Sequence, residues 1–195
     1  FDPVYEAASC RTLGVPSCGR PPVPPNSVET IDAAIGRFDV VVIMAGYDEW
    51  WTTFPSSFDA VNAASRAKGA RRIVWLNYRE GVGYIAPDGS TANEAFVRNN
   101  QTLRDKVASG TDPDVVIADW YGYTSTSTTQ TWITSDGIHL TFRGAYGVAD
   151  YISRTLANLE GRPCPQPWFV GGPLDAPCPD PDAHGPPADV VALYT

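Results

Sequence analysis

The chain of 195 residues has a net charge of −8 and an isoelectric point near 4.6, with 43% hydrophobic and 18% charged residues. This length suffices for one domain with a full hydrophobic core. The acidic balance argues against a nucleic-acid partner, because a phosphate-binding surface needs clustered Lys and Arg. No apolar run approaches the ~18 residues of a membrane span, so we predict no span either.

Apolar, β-branched segments alternate along the chain with segments that have polar first turns and end near glycine. Apolar runs without alternation predict strands covered on both faces, and the intervening segments predict helices. In chain order the predicted elements are strand Val4–Ala8, helix Ser27–Gly36, strand Phe38–Ala45, helix Ser57–Lys68, strand Arg72–Asn77, helix Asn93–Ser109, strand Asp114–Asp119 and helix Thr141–Leu159.

This alternation predicts an α/β fold, a three-layer α/β/α sandwich with a parallel, flavodoxin-like sheet. Ligands of such sheets bind at the carboxyl ends of the strands, here after Ala8, Ala45, Asn77 and Asp119. The segment TSDGIHLT, residues 134–141, enters the last helix from the same edge. We therefore expect the functional residues to gather there.

The chain changes character after Leu159. We predict one domain over residues 1–160 and a proline-rich, disulfide-pinned extension over residues 161–195 that packs on it. The extension ends in ADVVALY, residues 188–194, which suggests a further strand or a short amphipathic turn.

Four cysteines form two local pairs in loops. Their spacing predicts two disulfides, and thus a secreted or cell-envelope location. A zinc site is the rival interpretation, but the spacings are not CxxC, so we predict no metal and no cofactor. The expected pairs are Cys10 with Cys18 and Cys164 with Cys178.

The segment TSDGIHLT holds His139, one of only two histidines, and Asp136 three residues before it. Acyl chemistry through a hydroxyl needs a base and an acceptor that fixes the tautomer of that base. His139 and Asp136 supply both residue types. The alternative is that Asp136 is a helix N-terminal carboxylate and His139 a surface residue. His184 lies in PDPDAHGPP, which suggests a solvated tail.

DGIHLT followed by Phe142-Arg143-Gly144 resembles the last block of the SGNH (GDSL-type) hydrolases. A second block, Met44-Ala-Gly-Tyr-Asp-Glu49, lies where that family places a Gly-x-Asn element. Together with the order of elements, the resemblance covers roughly residues 4–160. It implies His139 as general base, Asp136 as its orienting partner, and Gly46 with its neighbouring amides at the oxyanion.

The chain departs from the family pattern in two places. Asp48 occupies the position of the family asparagine, and an ionised carboxylate cannot donate to an oxyanion. The family nucleophile lies in a Gly-Asp-Ser turn, and no Gly-Asp-Ser occurs here. Three explanations stay open: the nucleophile lies in an upstream segment of a longer or processed chain, the final residues 188–195 replace the first strand in a permuted fold, or this form lacks the nucleophile.

Three residues of the chain are weaker candidates for the nucleophile. Ser9 follows the first predicted strand, where the family loop contributes an oxyanion amide, but it adjoins a predicted disulfide cysteine. Ser90 lies in the turn-like Pro-Asp-Gly-Ser, and Cys10 would react only as a free thiol.

Four tryptophans follow or precede the predicted edge of the site and are candidates for substrate contact. Indole rings with a polar edge suit sugar faces or acyl chains, although the same rings can close the rim of a core. The four are Trp50, Trp51, Trp120 and Trp132.

The expected function is a serine ester hydrolase acting on O-acyl esters, with esters of glycans or lipid-linked sugars as one candidate group. The alternatives are an inactive SGNH-like domain that binds glycans, or an O-acyltransferase domain with the same catalytic residues.

Overall fold

The computed structural model describes residues 4–17, 21–81, 91–165, 176–186 and 191. Within these ranges the secondary structure consists of three strands, six α-helices and one 3-10 helix. In chain order they are α1 Ser27–Ala33, β1 Val40–Ile43, α2 Phe54–Ala67, β2 Arg72–Leu76, α3 Ala92–Ala108, β3 Val115–Ala118, α4 Trp120–Thr124, the 3-10 helix Ser127–Trp132, α5 Phe142–Leu159 and α6 Pro181–His184.

The predicted α/β class is confirmed, with a parallel sheet of three strands in the order β1-β2-β3. Val40 pairs with Arg72 and Ile43 with Trp75, which fixes the register of β1 on β2. The amide of Ile73 donates to the carbonyl of Asp114 at 3.0 Å, at the start of β3. Each strand follows a helix or loop in the predicted alternation, so all three present their carboxyl ends at one edge.

The predicted first strand, Val4–Ala8, is wrong. These residues are outside any strand or helix, and Val4 and Tyr5 keep 66% and 81% of their surface exposed. Apolar composition alone does not make a strand, because β-structure needs a neighbouring strand to satisfy its backbone groups. The expected last strand, residues 188–194, lies outside the described residues except for Val191.

The described chain divides into two compact units. Unit 1 comprises Phe1–Tyr78 and Ile85–Ile117, and unit 2 comprises Arg79–Tyr84 and Ala118–Thr195. Aromatic side chains dominate the core of each unit, since each buries a large apolar area. In unit 1 the buried rings are Phe54, Phe58, Trp75, Tyr78 and Phe96, and in unit 2 they are Trp120, Tyr123, Trp132 and Tyr151.

Helix α5 is one of the principal elements of unit 2 and begins where it was predicted to. Thr141 caps it by accepting from the amide of Gly144 at 3.1 Å. The sequence places Val148, Ile152, Leu156 and Leu159 on one apolar face of this helix. Of these, Val148 is buried and the other three are half-buried, and the buried stripe is centred on Gly144 and Tyr151.

The C-terminal extension is attached to unit 2 by the predicted disulfide Cys164–Cys178, with an S–S distance of 1.98 Å. The amide of Cys178 donates to the carbonyl of Arg162 at 2.8 Å. Cys10 is also disulfide-bonded, and its expected partner Cys18 lies outside the described residues. Across the described ranges, no helix combines the length and hydropathy needed to cross a bilayer.

Candidate active site

The segment between the 3-10 helix and α5 folds into a narrow loop that is closed by its own backbone. The amide of Thr141 donates to the carbonyl of Trp132 at 2.9 Å, and the amide of Thr134 donates to the carbonyl of His139 at 2.8 Å. Ile133 and Leu140 form an antiparallel bridge between these two hydrogen bonds. Asp136 and His139 therefore lie at the tip of a loop whose two ends are fixed, which we call the dyad loop (residues 133–141).

Asp136 is held by donors from within the dyad loop. Its Oδ1 accepts from the hydroxyl of Thr134 at 2.6 Å and from the amides of Ile138 and His139 at 2.9 and 3.0 Å. The Thr134 hydroxyl, followed by the amides of Ile138 and His139 and the His139 ring, holds the pKa of Asp136 well below its usual range. Asp136 is therefore a carboxylate at neutral pH.

The imidazole of His139 is oriented by the other oxygen of this carboxylate. Nδ1 of His139 lies 2.7 Å from Oδ2 of Asp136. Because an ionised carboxylate only accepts hydrogen bonds, Nδ1 carries the proton, and Nε2 of the neutral ring is left with a lone pair. The His139 side chain is 74% exposed, and Nε2 has no hydrogen-bond partner among the described residues. The geometry thus provides an oriented base that is open to incoming groups.

Trp132 fixes the dyad loop on α5 through two glycines of that helix. A Cβ added at Gly144 would lie 1.9 Å from the carbonyl oxygen of Trp132, and a Cβ at Gly147 would lie 2.5 Å from the ring of Trp132. The loop thus approaches α5 more closely than any side chain on those positions would allow. The glycines of the FRGAYG segment set the position of the loop.

Gly46 occupies a crowded turn after β1, in unit 1. Its φ is +92°, and an added Cβ would lie 2.6 Å from the hydroxyl of Tyr78 and 2.8 Å from Leu13. Tyr78 in turn donates to the carbonyl of Ala45 at 2.9 Å. A glycine is therefore required here, whereas the Asp48 side chain two residues later is exposed.

Ser9, the other predicted oxyanion candidate, is exposed and lies in a turn. The strand that was expected to place it at the ligand edge does not form. It shares the turn with Cys10, whose φ is +62° and whose sulfur is disulfide-bonded. Cys10 is consequently unavailable as a thiolate nucleophile, and Ser90 lies outside the described residues.

The four predicted substrate-contacting tryptophans fall into two classes. Trp120 and Trp132 are 1% and 0% exposed, so the structure assigns them to packing and corrects their prediction as contact residues. Trp50 is 38% exposed and lies edge-on to Trp51, with the ring centroids 5.3 Å apart. Of the four, only this pair in unit 1 presents surface that a ligand can touch.

The structure adds residues that the sequence patterns did not single out. Phe142 and Tyr146 are 79% and 48% exposed on the first turns of α5, directly after the dyad loop, and their rings pack edge to face at 5.0 Å. In unit 1, the buried carboxylate of Glu49 accepts from the amide of Leu13 at 2.9 Å. For Phe142 and Tyr146 the sequence did contain a signal, because two large apolar residues four positions apart on an amphipathic helix lie side by side on its surface.

The predicted site residues are thus divided between the units. Unit 2 brings Asp136 and His139 into direct contact, and unit 1 contains Gly46, Asp48, Ser9, Trp50 and Trp51. Comparison of the chain with models of protein families, with curated protein sequences and with solved structures finds no match.

Proposed function

We propose that this chain carries the general base and orienting carboxylate of a serine ester hydrolase that acts on O-acyl esters, with glycan or lipid-linked sugar esters as candidate substrates. The observation that carries the proposal is the 2.7 Å contact from Nδ1 of His139 to an Asp136 carboxylate whose other oxygen accepts three hydrogen bonds. These hydrogen bonds fix the position of the Asp136 carboxylate, and the carboxylate in turn fixes the tautomer and the orientation of the His139 ring.

In the proposed reaction, Nε2 of His139 takes the proton of a serine hydroxyl as its oxygen attacks the ester carbonyl. Nε2 returns that proton to the leaving alcohol, and the sequence repeats with water to release the acid. Asp136 stabilises the imidazolium that exists between the two transfers. The nucleophilic serine is not identified among the described residues, and its position is the first question for experiment.

An extracytoplasmic location belongs to the same proposal. The Cys164–Cys178 disulfide and the disulfide-bonded Cys10 support it, because such bonds persist in oxidising compartments.

The experiment combines p-nitrophenyl acetate turnover with a fluorophosphonate probe, which labels activated serines covalently. Both are applied to this chain and to any longer natural form of the same protein, and mass spectrometry locates the labelled serine. We expect His139→Ala to abolish turnover and labelling. The matched control is His184→Ala, since His184 is the other histidine and is exposed on α6. Equal turnover in the His139→Ala and wild-type proteins would refute the proposal.

A second function, glycan binding without turnover, is supported by the surface around Trp50. The guanidinium of Arg98 lies 4.9 Å from the centre of the Trp51 ring and is paired with Glu94 at 2.7 Å. An exposed indole beside charged hydrogen-bonding groups suits a sugar ring. Calorimetry with cell-wall saccharides tests it: binding that is lost in Trp50→Ala, with no ester turnover in the wild type, would favour this function.

A further inference from the structure

The dyad loop makes a contact with a distant part of the chain through the guanidinium of Arg79. Arg79 lies in the segment after β2 and is half-buried in unit 2. Its Nε donates to the carbonyl of Gly137 at 3.1 Å, across 58 residues of sequence. Gly137 lies between Asp136 and Ile138, so this carbonyl belongs to the tip of the loop.

The same guanidinium is hydrogen-bonded to Thr124, the last residue of α4. Its Nη1 donates to the carbonyl of Thr124 at 3.0 Å and also to the Thr124 hydroxyl. Thr124 is 1% exposed, and its hydroxyl donates to the carbonyl of Trp120 at 2.6 Å. Arg79 thus ties the exposed tip of the dyad loop to a buried and immobilised helix end.

The chemistry of this contact suits positioning. A guanidinium is planar and always charged, and it directs several N–H groups at fixed angles, so it can bridge two carbonyls with a defined spacing. The hydrogen bonds of the Asp136 carboxylate come from residues 134–139 and shape the loop internally. They do not determine where the loop tip points relative to the rest of unit 2, whereas a bond from Arg79 to Gly137 does.

We propose that Arg79 is a positioning residue that sets the direction of the His139 imidazole by holding the Gly137 carbonyl. The inference rests on the proposed hydrolase function for its catalytic consequence, but its structural claim is independent of turnover. Arg79 would act on His139 through the Gly137 carbonyl, to which it donates. Its loss is therefore expected to change the His139 environment and kcat, with little effect on KM.

The test uses nuclear magnetic resonance of the imidazole nitrogens in a His184→Ala background, where His139 is the only histidine. In this parent, we expect the nitrogen signals of an imidazole that is protonated on Nδ1 and hydrogen-bonded to Asp136. Arg79→Gln should shift these signals, while circular dichroism reports an intact fold. Arg79→Lys, which retains charge and one donor, should shift them less.

The matched control is Arg104→Gln on the exposed face of α3 in unit 1, which should leave the His139 spectrum unchanged. If Arg79→Gln does not fold, Arg79→Met replaces it, because methionine keeps an apolar stem and has no donor for the Gly137 carbonyl. An unaltered signal in a folded Arg79→Met protein overturns the proposal. An unaltered signal in Arg79→Gln overturns it as well.

Turnover separates this inference from the proposed function. If the parent hydrolyses esters, Arg79→Gln should lower kcat by about tenfold to a hundredfold with KM changed less than about twofold, the cost of a small misorientation of the base. If neither the parent nor a longer natural form of the protein has turnover while the spectra change as expected, the hydrolase function fails and the role of Arg79 stands. Turnover that stays normal in Arg79→Gln while the spectrum changes overturns the catalytic consequence.

Discussion

Asp136 uses its two carboxylate oxygens for different tasks. Oδ1 accepts three hydrogen bonds from the loop, whereas Oδ2 faces Nδ1 of His139. The spacing of Asp136 and His139 in the sequence permits this contact, because residues three apart in a turn can reach each other, but it left open that Asp136 is a helix N-terminal carboxylate and His139 a surface residue. The donors from Thr134 and the loop amides could not be predicted, since they depend on the turn geometry at Gly137, whose φ is +80°.

The lowered pKa of Asp136 makes its contribution to stability depend on pH. Its carboxylate is favoured in the folded state, so it adds stability above the unfolded pKa, about 4, and this stability is lost as pH falls toward the folded pKa. We expect wild type to be more stable than Asp136→Asn at pH 7, and the difference to shrink below about pH 4. Urea denaturation at several pH values measures this, and a difference independent of pH would contradict it.

Under the proposed hydrolase function, the exposed rings of Phe142 and Tyr146, which follow the dyad loop in the sequence, are expected to contact the apolar part of the substrate. Phe142→Ala should raise KM several-fold for esters with bulky acyl or ring groups and leave kcat nearly unchanged, because it removes binding that is equal in the ground and transition states. Steady-state kinetics with short and bulky p-nitrophenyl esters measures the effect. Ile35→Ala, at a residue 96% exposed in unit 1, is the control and should change neither constant.

At the scale of elements, all four predicted helices form and one predicted strand does not, whereas the short helices α4 and α6 were not predicted. Helix ends depend on nearby residues, such as the capping box formed by Asn26 and Glu29 or the cap at Thr141. A strand depends on a partner that the local sequence does not show. Val4–Ala8 has a strand-like composition, but no strand forms there. The buried stripe of α5 depends on a packing partner in a related way, since Trp132 selects the glycine face of that helix.

Gly144 should be intolerant of alanine despite its place in a helix. An exposed helical Gly→Ala change normally stabilises by up to about 1 kcal/mol. Gly144→Ala should instead destabilise by about 2–3 kcal/mol, because the new Cβ would overlap the Trp132 carbonyl. The control is Ala145→Gly on the exposed side of α5, with an expected loss of about 1 kcal/mol. Thermal denaturation of both variants should show the larger loss of stability in Gly144→Ala. A Gly144→Ala protein that is more stable than wild type would disprove the close contact between Gly144 and the Trp132 carbonyl.

Glu49 joins three segments of unit 1. Its side chain, 1% exposed, accepts from the amide of Leu13 and from the hydroxyls of Thr53 and Ser57. Glu49→Leu leaves the buried donors of Leu13 and Ser57 without this acceptor and should cost about 3 kcal/mol or more, while the half-buried Thr53 hydroxyl keeps its bond to the Trp50 carbonyl. Glu49→Gln should cost less, about 1–2 kcal/mol, because hydroxyls can reverse to accept from an amide. Urea denaturation compares them, and equal losses would show that Glu49 does not organise these donors.

At the scale of the whole molecule, the described chain divides into two compact units, and the predicted domain over residues 1–160 with an extension over residues 161–195 stays a prediction. Composition and length bound the size of the core but do not show where contacts become sparse. The C-terminal extension belongs to unit 2, where Asp182 of α6 accepts from the Tyr151 hydroxyl at 2.5 Å and from the amide of Asp119 at 2.9 Å. Burial of the Asp182 carboxylate, despite exposure of the residue as a whole, raises its pKa.

The disulfide of this extension should stabilise unit 2 selectively. Replacing Cys164 and Cys178 together by serine opens a loop with a sequence separation of 14 and should lower the stability of unit 2 by about 3 kcal/mol. Hydrogen exchange measured residue by residue should then show faster exchange of the α5 amides. The amides of β2 in unit 1 are the reference and should exchange at an unchanged rate. Unchanged protection throughout α5 would contradict a stabilising role for the bond.

The closed dyad loop has a consequence for the order in which the protein folds. The hydrogen bonds between Asp136 and its donors span two or three residues, whereas the bond from Arg79 to Gly137 spans 58. Short-range contacts close quickly because they cost little chain entropy, and long-range contacts close late. During refolding, we expect the contact between His139 and Asp136 to form early. The hydrogen bond from Arg79 to Gly137 is expected to be among the last native contacts to form.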